Sequence, residues 1–235
     1  MKPGVSLAIE IALLLLLPAA LLICAVLQID QSGVISFAAA LACLAAFFFL
    51  FEKSRPSLRT IMPTVVLAAL AAAGRILFAP LPDVKPVTAI CIMAGVVFGR
   101  RSGFMVGALA ALVSNFFFGQ GAWTPFQMYA WGLIGWLAGA LADAGAFSWG
   151  DDRRTSPWLY VFGFASCLLY GFILNSWYLV AWVHPITWPA ALATYGAGFG
   201  LDVVHAVATT VFLALLYAPW HVKLRRIRTK FALRA

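Results

Sequence analysis

Eight long apolar stretches, joined by short polar connectors, restrict what this chain can fold into. A helix that crosses a bilayer needs about 20 apolar residues, whereas the strands of a membrane barrel alternate over about ten. Only 10% of the residues are charged and 64% are hydrophobic, which is too apolar for a soluble domain. The fourth stretch is short, so we expect a thinned bilayer or shielding by neighbouring helices there. The sequence therefore predicts an all-α membrane protein with eight transmembrane helices, over residues 5–28, 34–51, 61–79, 86–99, 102–118, 125–144, 157–181 and 192–219.

The positions of the basic residues indicate how these helices are oriented. With eight crossings, fourteen of the sixteen Lys and Arg residues fall on one face, and only Arg75 and Lys85 fall near the other. Cytoplasmic loops carry an excess of Lys and Arg, so the basic face is predicted to be cytoplasmic, together with both termini. The net charge of +8 resides in connectors and in the tail KLRRIRTK. It therefore predicts contact with anionic membrane lipids and no nucleic-acid partner.

The segment FEKSRPSLRT, residues 51–60, is the predicted internal boundary. Residues 1–55 are predicted to form a plain transmembrane hairpin rich in Leu, Ala and Phe. Residues 56–235 are predicted to form a six-helix domain that carries the distinctive residues and the basic tail. The first apolar stretch is longer than the roughly 7–15 residues of a signal-peptide core, so we expect it to be a retained helix.

Polar side chains inside the apolar stretches are costly in lipid and therefore point to function. They are concentrated in the outer halves of the predicted helices, at Arg75, Asn115, Gln127, Asn175, Tyr195 and Asp202. Polar residues from different helices at one depth predict a cavity that opens to the outside and is closed below. Other interpretations stay open, since amides can join helices and Arg75 could pair with Asp202. His205 shares a helix face with Asp202 and could simply hydrogen-bond to it.

The outer connectors are aromatic and contain proline instead of being simply hydrophilic. They are APLPDVKP (79–86), FGQGAWTP (118–125) and AWVHPITWP (181–189). The middle connector lies within SNFFFGQGAWTPFQM (114–128), whose stiff, amphipathic composition is typical of a wall over a small-molecule pocket. Lys85, Gln120 and Trp123 are therefore further candidate ligand contacts. A single Trp at this level is equally typical of an interfacial aromatic belt.

Motifs for chemistry or for energy conversion are absent from the sequence. There is no GxxxxGK[ST] loop, HExxH, GxSxG or repeated acidic metal motif, and the four cysteines lack CxxC spacing. We therefore expect no ATP hydrolysis, no catalytic residue, no metal site and no cofactor. The sequence has no obvious inverted repeat, the feature that would indicate a self-sufficient transporter. A pocket without its own energy source predicts a binding subunit that depends on another protein.

One long segment carries a family resemblance. The sequence GRILFAPLPDVKPVTAICIMAGVVFGRRSGFMVGALAALVSNFFFGQGAWTPFQM (74–128) and the Gly/Ala-rich helix that follows resemble the substrate-binding S components of energy-coupling factor (ECF) vitamin transporters. The resemblance extends over about 61–222 and leaves out residues 1–55. It implies a non-enzymatic, multi-pass protein of the bacterial plasma membrane that captures a vitamin from outside. Its implied partners are a transmembrane coupling protein and two cytoplasmic ATPase subunits.

The resemblance also implies a docking face and a ligand type. An Ala-rich first helix commonly docks the coupling protein in this family, which corresponds here to Ala68, Ala69, Ala72 and Ala73. The closest subtype is the proposed cobalamin-specific one, for which a wide pocket lined with aromatic and amide side chains is expected. The same residues would suit riboflavin, a cobalamin precursor or another flat heterocycle.

Two further classes of function are compatible with the residues themselves. The chain could be a polytopic membrane enzyme that acts on a lipid or isoprenoid, with Asp202 and His205 as an acid/base pair. It could also be a structural assembly protein in which the polar residues only join helices.

Overall fold

The computed structural model describes residues 3–147 and 156–230, in which all regular secondary structure is helical. The eight helices coincide with the eight predicted stretches. Most ends differ from the prediction by a few residues, but the last helix is much longer than expected. The helices are α1 (Pro3–Leu27), α2 (Ser32–Lys53), α3 (Leu58–Leu77), α4 (Val87–Phe98), α5 (Arg100–Phe118), α6 (Thr124–Asp143), α7 (Pro157–Trp182) and α8 (Trp188–Lys230).

Six of these helices are long and apolar enough to cross a membrane: α1, α2, α3, α5, α7 and α8. The all-helical class is therefore confirmed, while an arrangement with eight crossings stays a prediction. Helix α8 has 43 residues, and at about 1.5 Å per residue it is roughly twice as long as the hydrocarbon core is thick. Its last turns carry the basic tail.

Helix α4 is short because it lies inside the protein. It has 12 residues, every one of them buried, and it is surrounded by α3, α5, α6, α7 and α8. Of the two sequence-based explanations for a short fourth stretch, shielding by neighbouring helices agrees with this burial. An apolar run without periodicity fits a helix that is enclosed on all sides.

Glycines bring α4, α5 and α6 into backbone contact. A Cβ atom at Gly95 would lie 2.0 Å from the Gly135 carbonyl oxygen, and one at Gly103 would lie 2.4 Å from the same atom. On the other side, a Cβ atom at Gly107 would lie 2.3 Å from the Trp131 backbone. Small residues at such faces allow helices in membranes to approach closely. This contact fixes α6, and with it the aromatic side chains described below.

We expect Gly95→Ala to lower the stability of the purified protein by about 1–3 kcal/mol or more, because the new methyl group would overlap a backbone oxygen that cannot rotate away. Gly200→Ala is the matched control, since nothing lies within 4 Å of its Cβ position. That substitution should be neutral or slightly stabilising. Thermal unfolding in detergent measures both variants, and equal melting temperatures would contradict the packing described here.

The N-terminal hairpin packs directly against the remaining helices. Helices α1 and α2 contact α5, α6 and α7. The Tyr129 hydroxyl of α6 donates a hydrogen bond of 2.6 Å to the Leu14 carbonyl oxygen. Ser32 Oγ donates a hydrogen bond of 2.5 Å to the carbonyl oxygen of Val180 in α7. The hairpin is thus joined to the bundle by polar contacts as well as by apolar packing.

Glu10 forms the strongest of these connections. Its side chain is completely buried, and its carboxylate accepts hydrogen bonds from Arg100 Nε at 2.8 Å and Arg101 Nε at 2.7 Å. Trp136 Nε1 donates to the same carboxylate at 2.9 Å, and Ser6 Oγ donates at 3.1 Å. In the sequence, Arg100 and Arg101 served only as indicators of topology. In the structure, these two arginines also hold α1 against the start of α5.

The basic and polar residues separate along the bundle as the sequence predicts. Arg100 and Arg101 begin α5, whereas Asn115 is near its end. In α3, Arg59 is near the start and Arg75 near the end. Lys53 and Arg55 line the same cavity as Arg100 and Arg101. One end of the protein is therefore basic, and the other end carries the predicted polar cluster.

Candidate functional site

Arg75 is the first element of the polar end. Its Nη1 atom donates hydrogen bonds of 2.7 Å to both Ser114 Oγ and Asn115 Oδ1 of α5. The guanidinium carbon lies 4.6 Å from the ring centre of Phe118 and 5.0 Å from that of Trp131. The Arg75 side chain thus extends from α3 and is held by amide and aromatic groups of α5 and α6.

Asn115 links Arg75 to the start of α6. Its side chain is fully buried, and its Nδ2 atom donates to Gln127 Oε1 at 2.8 Å and to Thr124 Oγ1 at 3.0 Å. Because the amide oxygen already accepts from Arg75, both ends of this amide are occupied. The two ends of SNFFFGQGAWTPFQM therefore meet at one point, which makes this connector a closed loop over the end of the bundle.

Lys85 adds a second positive charge beside the same aromatic side chains. Its Nζ atom lies 5.8 Å from the ring centre of Trp131 and 5.9 Å from that of Tyr170. It forms an ion pair with Asp83. Burial lowers the pKa of Lys85 below its ordinary value, and Asp83 opposes this effect only in part. Lys85 therefore lies over both rings and Arg75 over the ring of Trp131. Trp131 and Tyr170 are stacked with a centroid distance of 4.7 Å.

A buried polar pair lies behind these rings. Trp131 Nε1 donates to Thr88 Oγ1 at 3.0 Å, and Thr88 Oγ1 is 2.9 Å from His205 Nε2. The His205 ring also meets the Tyr170 ring edge-on, at a centroid distance of 5.4 Å. A hydrogen bond between His205 and Asp202, one of the interpretations that the sequence left open, is not formed. Because His205 faces α4, its partner comes from a neighbouring helix that the sequence spacing could not reveal.

Asp202 and Asn175 form the far side of the cluster. Asn175 Nδ2 donates to Asp202 Oδ2 at 3.4 Å. Two glycines provide the space, since a Cβ atom at Gly171 would lie 2.1 Å from the Asp202 carboxylate and one at Gly198 would lie 2.7 Å from the Asn175 amide. In the described part of the chain no salt bridge joins Arg75 to Asp202. The proposed Arg75–Asp202 pair is therefore absent there.

Three predicted contact residues lie at the margins of the cluster. Tyr195 bonds to Ser176 Oγ at 2.8 Å and stacks on Phe172 at 5.5 Å. Gln120 is exposed, and its amide donates to the Leu112 carbonyl oxygen at 3.0 Å. Trp123 is 41% exposed and packs over Gly121, where a Cβ atom would lie 2.4 Å from the indole ring. Gln120 Oε1 also accepts a hydrogen bond of 3.0 Å from Thr124 Oγ1, which joins it to the Asn115 network, whereas Trp123 and Tyr195 border the site.

The predicted docking face on α3 divides into two halves. Ala68 and Ala72 are 3% and 2% exposed, because they pack toward the interior of the bundle. Ala69 and Ala73 are exposed. Only the second pair is available to a partner, and the assignment of this face stays a prediction.

Several members of the site were not predicted from the sequence. Thr88, Asp83, Trp131 and Tyr170 were not proposed as site residues. Trp131 and Tyr170 could not be told from other aromatics in the helices, and Thr88 was hidden in an apolar run. Asp83 offered a signal that could have been used, because it is the acidic residue nearest to Lys85. No group of three or more His, Cys, Asp or Glu side chains able to hold a metal occurs among residues 3–147 and 156–230.

One known protein family matches most of the chain. Residues 55–220 match a family model described as ECF-type riboflavin transporter, S component. The matched region covers more than two thirds of the chain and leaves the N-terminal hairpin outside. No curated protein and no solved structure is significantly similar to the chain.

Proposed function

The chain belongs to the family of ECF-type riboflavin transporter S components, and from this premise we propose that it captures a vitamin at the outer membrane surface for uptake. Arg75, Lys85, Asn115, Gln127, Asn175 and Asp202 would contact the ligand, with Gln120, Trp123 and Tyr195 at the rim. A separate coupling protein and two ATPase subunits would supply the energy. The protein would lie in a bacterial plasma membrane with both termini in the cytoplasm.

The single observation that supports this proposal most strongly is the pair of cations over stacked aromatic rings. Arg75 and Lys85 both lie within 6 Å of the Trp131 ring centre. Asp83 neutralises Lys85, whereas no carboxylate pairs with Arg75 in the described part of the chain. A partly buried charge without a counter-ion is costly unless something else offsets its desolvation. Cationic donors and flat rings together suit a ligand that has a planar heterocycle and polar oxygens.

The ligand itself belongs to the proposal. The matching family is of the riboflavin type, and this gives no support to the cobalamin preference inferred from sequence. The stacked rings of Trp131 and Tyr170 are buried, at 0% and 7% exposure, and nothing in their arrangement calls for a large macrocycle. We therefore place riboflavin first among the ligands to be tested, and cobalamin and its precursors second.

The surface around α3 supports docking of a coupling protein. An apolar groove of about 690 Å³ lies between α3 and α8 and is lined by residues that include Met62, Val66, Leu70, Trp220 and Leu224. Met62 and Val66 are 60% and 48% exposed. A helical partner could bury this groove, with Ala69 and Ala73 permitting close approach. The hairpin leaves the groove free because it packs on α5, α6 and α7.

Binding measurements on the purified full chain test the proposed function. Calorimetric titration in detergent with riboflavin, cobalamin and a cobalamin precursor, without ATP, should give tight binding of one ligand. Mass spectrometry of small molecules that co-purify should identify the same compound. If none of these compounds binds and none co-purifies, the proposal of vitamin capture is wrong.

The enzyme alternative gains no support from the two residues proposed for it. Asp202 bonds to Asn175, and His205 bonds to Thr88, so the two side chains are engaged with different partners. The family is one of transporter components, which agrees with a non-catalytic role.

The lowered pKa of Lys85 predicts a pH dependence. As the pH rises through that pKa, Lys85 loses its charge at a pH below the ordinary lysine pKa of about 10.4. Riboflavin affinity should then fall. The free energy of unfolding of the ligand-free protein should rise over the same pH range, because Lys85 holds its proton more tightly in the unfolded chain. Lys85→Arg keeps its charge throughout and should retain binding to higher pH. Identical pH profiles for the two proteins would show that Lys85 does not act as a charged ligand contact.

A further inference from the structure

A cavity at the basic end of the protein is unrelated to the outer cluster. It has a volume of about 640 Å³ and lies where the hairpin meets the rest of the bundle. Its walls come from the starts of α1, α3 and α5, the ends of α2, α4 and α6, and the connector between α2 and α3. The cavity therefore joins the two parts of the chain at the membrane surface opposite the vitamin site.

The charged groups of this cavity are predominantly basic. Among the residues that the structure describes, Lys53, Arg55, Arg100 and Arg101 line it, against the carboxylate of Asp143. Glu10 lies behind Arg100 and Arg101 and neutralises part of their charge. Two positive charges thus remain in excess. Lys53 and Arg55 are exposed, and the structure shows no carboxylate against either of them in the part of the chain that it describes.

The donors of Arg100 and Arg101 are only partly used. A guanidinium has five N–H groups. Arg100 directs Nε to Glu10 and Nη1 to Asp143, and Arg101 directs Nε to Glu10 and Nη2 to Ser6. The buried Glu10 therefore orients both guanidinium groups and leaves donors on each for a further acceptor. A phosphate group matches this need because it offers several oxygens to a fixed array of Arg donors.

Hydroxyl groups and helix starts belong to the same wall. Ser54, Ser57 and Thr60 line the cavity, where Ser54 Oγ donates to the Phe51 carbonyl oxygen and Ser57 and Thr60 bond to each other. Helices α3 and α5 both start there, and neither has a side-chain hydrogen bond at its N-cap. The N–H groups of a first helical turn lack an intrahelical partner and favour an anion nearby. The apolar side chains of Leu50, Phe51 and Phe98 form another part of the lining.

We propose that this cavity binds a phosphate group, carried by an anionic phospholipid or present as a free phosphate, and that the bound group fastens the N-terminal hairpin to the bundle. Lys53 and Arg55 from the hairpin and the connector would contact the phosphate together with Arg100 and Arg101 from α5. The Glu10 contact fixes the arginines whether or not the cavity is occupied. The phosphate completes the junction on the side that faces solvent and lipid headgroups.

The test compares Lys53→Gln/Arg55→Gln with a matched tail variant, Lys223→Gln/Arg226→Gln, which removes the same charges from exposed positions of α8 and measures the general attraction of the basic tail to anionic lipid. Arg100 and Arg101 are left intact because they also hold Glu10. Each full-length protein is titrated in detergent with short-chain phosphatidylglycerol, short-chain phosphatidylcholine and inorganic phosphate. The melting temperature and lipid adducts in native mass spectrometry are recorded.

Phosphatidylglycerol should raise the melting temperature of the wild type and the tail variant, and phosphatidylcholine should not. The Lys53→Gln/Arg55→Gln protein should bind phosphatidylglycerol roughly tenfold more weakly. Equal protection by inorganic phosphate would identify a free phosphate as sufficient, and protection by the lipid alone would identify a headgroup. Equal losses in both variants, or no protection of the wild type by either compound, would overturn the proposal. Vitamin binding should be unchanged in all three proteins, so this result is separable from the proposed function.

Discussion

Glu10→Ala is expected to lower the free energy of unfolding by about 3 kcal/mol, at the low end of the range for breaking a buried ion pair. The variant leaves two guanidinium groups facing each other without the carboxylate that separates them, and Trp136 Nε1 without its acceptor. The low end is appropriate because the Arg100 and Arg101 side chains are 25% and 29% exposed and keep some hydration. Thermal and denaturant unfolding of the protein in detergent measures the loss.

A variant and a control make this expectation specific. Glu10→Gln retains an acceptor oxygen and the shape of the side chain, so it should lose less stability than Glu10→Ala. Glu52→Gln removes an exposed acid from the same hairpin and should change stability by less than about 0.5 kcal/mol. If Glu10→Ala unfolds like the Glu52→Gln control, Glu10 does not hold the hairpin to the bundle.

Arg75→Met is expected to weaken riboflavin binding roughly 100-fold, which corresponds to about 3 kcal/mol. The change removes one of the two cations at the aromatic pair and the donor that fixes Asn115. Stability of the ligand-free protein should fall much less, because a methionine fills most of the space and the desolvation of a charge is relieved. Calorimetric titration and thermal unfolding on the same samples separate the two effects.

Arg75→Lys tests whether charge or shape matters. It keeps a cation but cannot present the planar fork that bonds to Ser114 and Asn115 together. Binding should therefore lie between that of the wild type and Arg75→Met. Leu77→Ala, at a position that is 76% exposed on the same helix, is the control and should bind normally. Unchanged riboflavin binding in Arg75→Met would show that Arg75 does not contact the ligand.

The helices and their order could be predicted from sequence because each depends on a local property. A run of apolar residues long enough to satisfy its own backbone hydrogen bonds in lipid is visible without knowledge of its neighbours. The end of α8 was the main error, since the basic residues after 219 favour the helix as well as the membrane surface. Arg75, Asn115 and Gln127, which the sequence placed at one depth, meet through hydrogen bonds, while the cavity that opens to the outside stays a prediction.

Pairings between helices could not be predicted in the same way. His205 and Asp202 share a helix face, yet His205 turns to Thr88 and Asp202 to Asn175. Arg75 and Asp202 are oppositely charged, yet Arg75 bonds to Ser114 and Asn115. Spacing along one helix says which residues share a side, but the partner depends on how the helices are rotated and how closely they approach.

The sequence by itself determined that the chain is a helical membrane protein with one basic end and one polar end, because hydrophobic length and charge asymmetry are properties of single segments. The tertiary structure decided which polar groups meet, and therefore which could bind a ligand. Backbone contact at Gly95, Gly103 and Gly135 sets the position of α6. That position brings Trp131 close to two cations and Trp136 against Glu10. Neither contact can be predicted from any single stretch of residues.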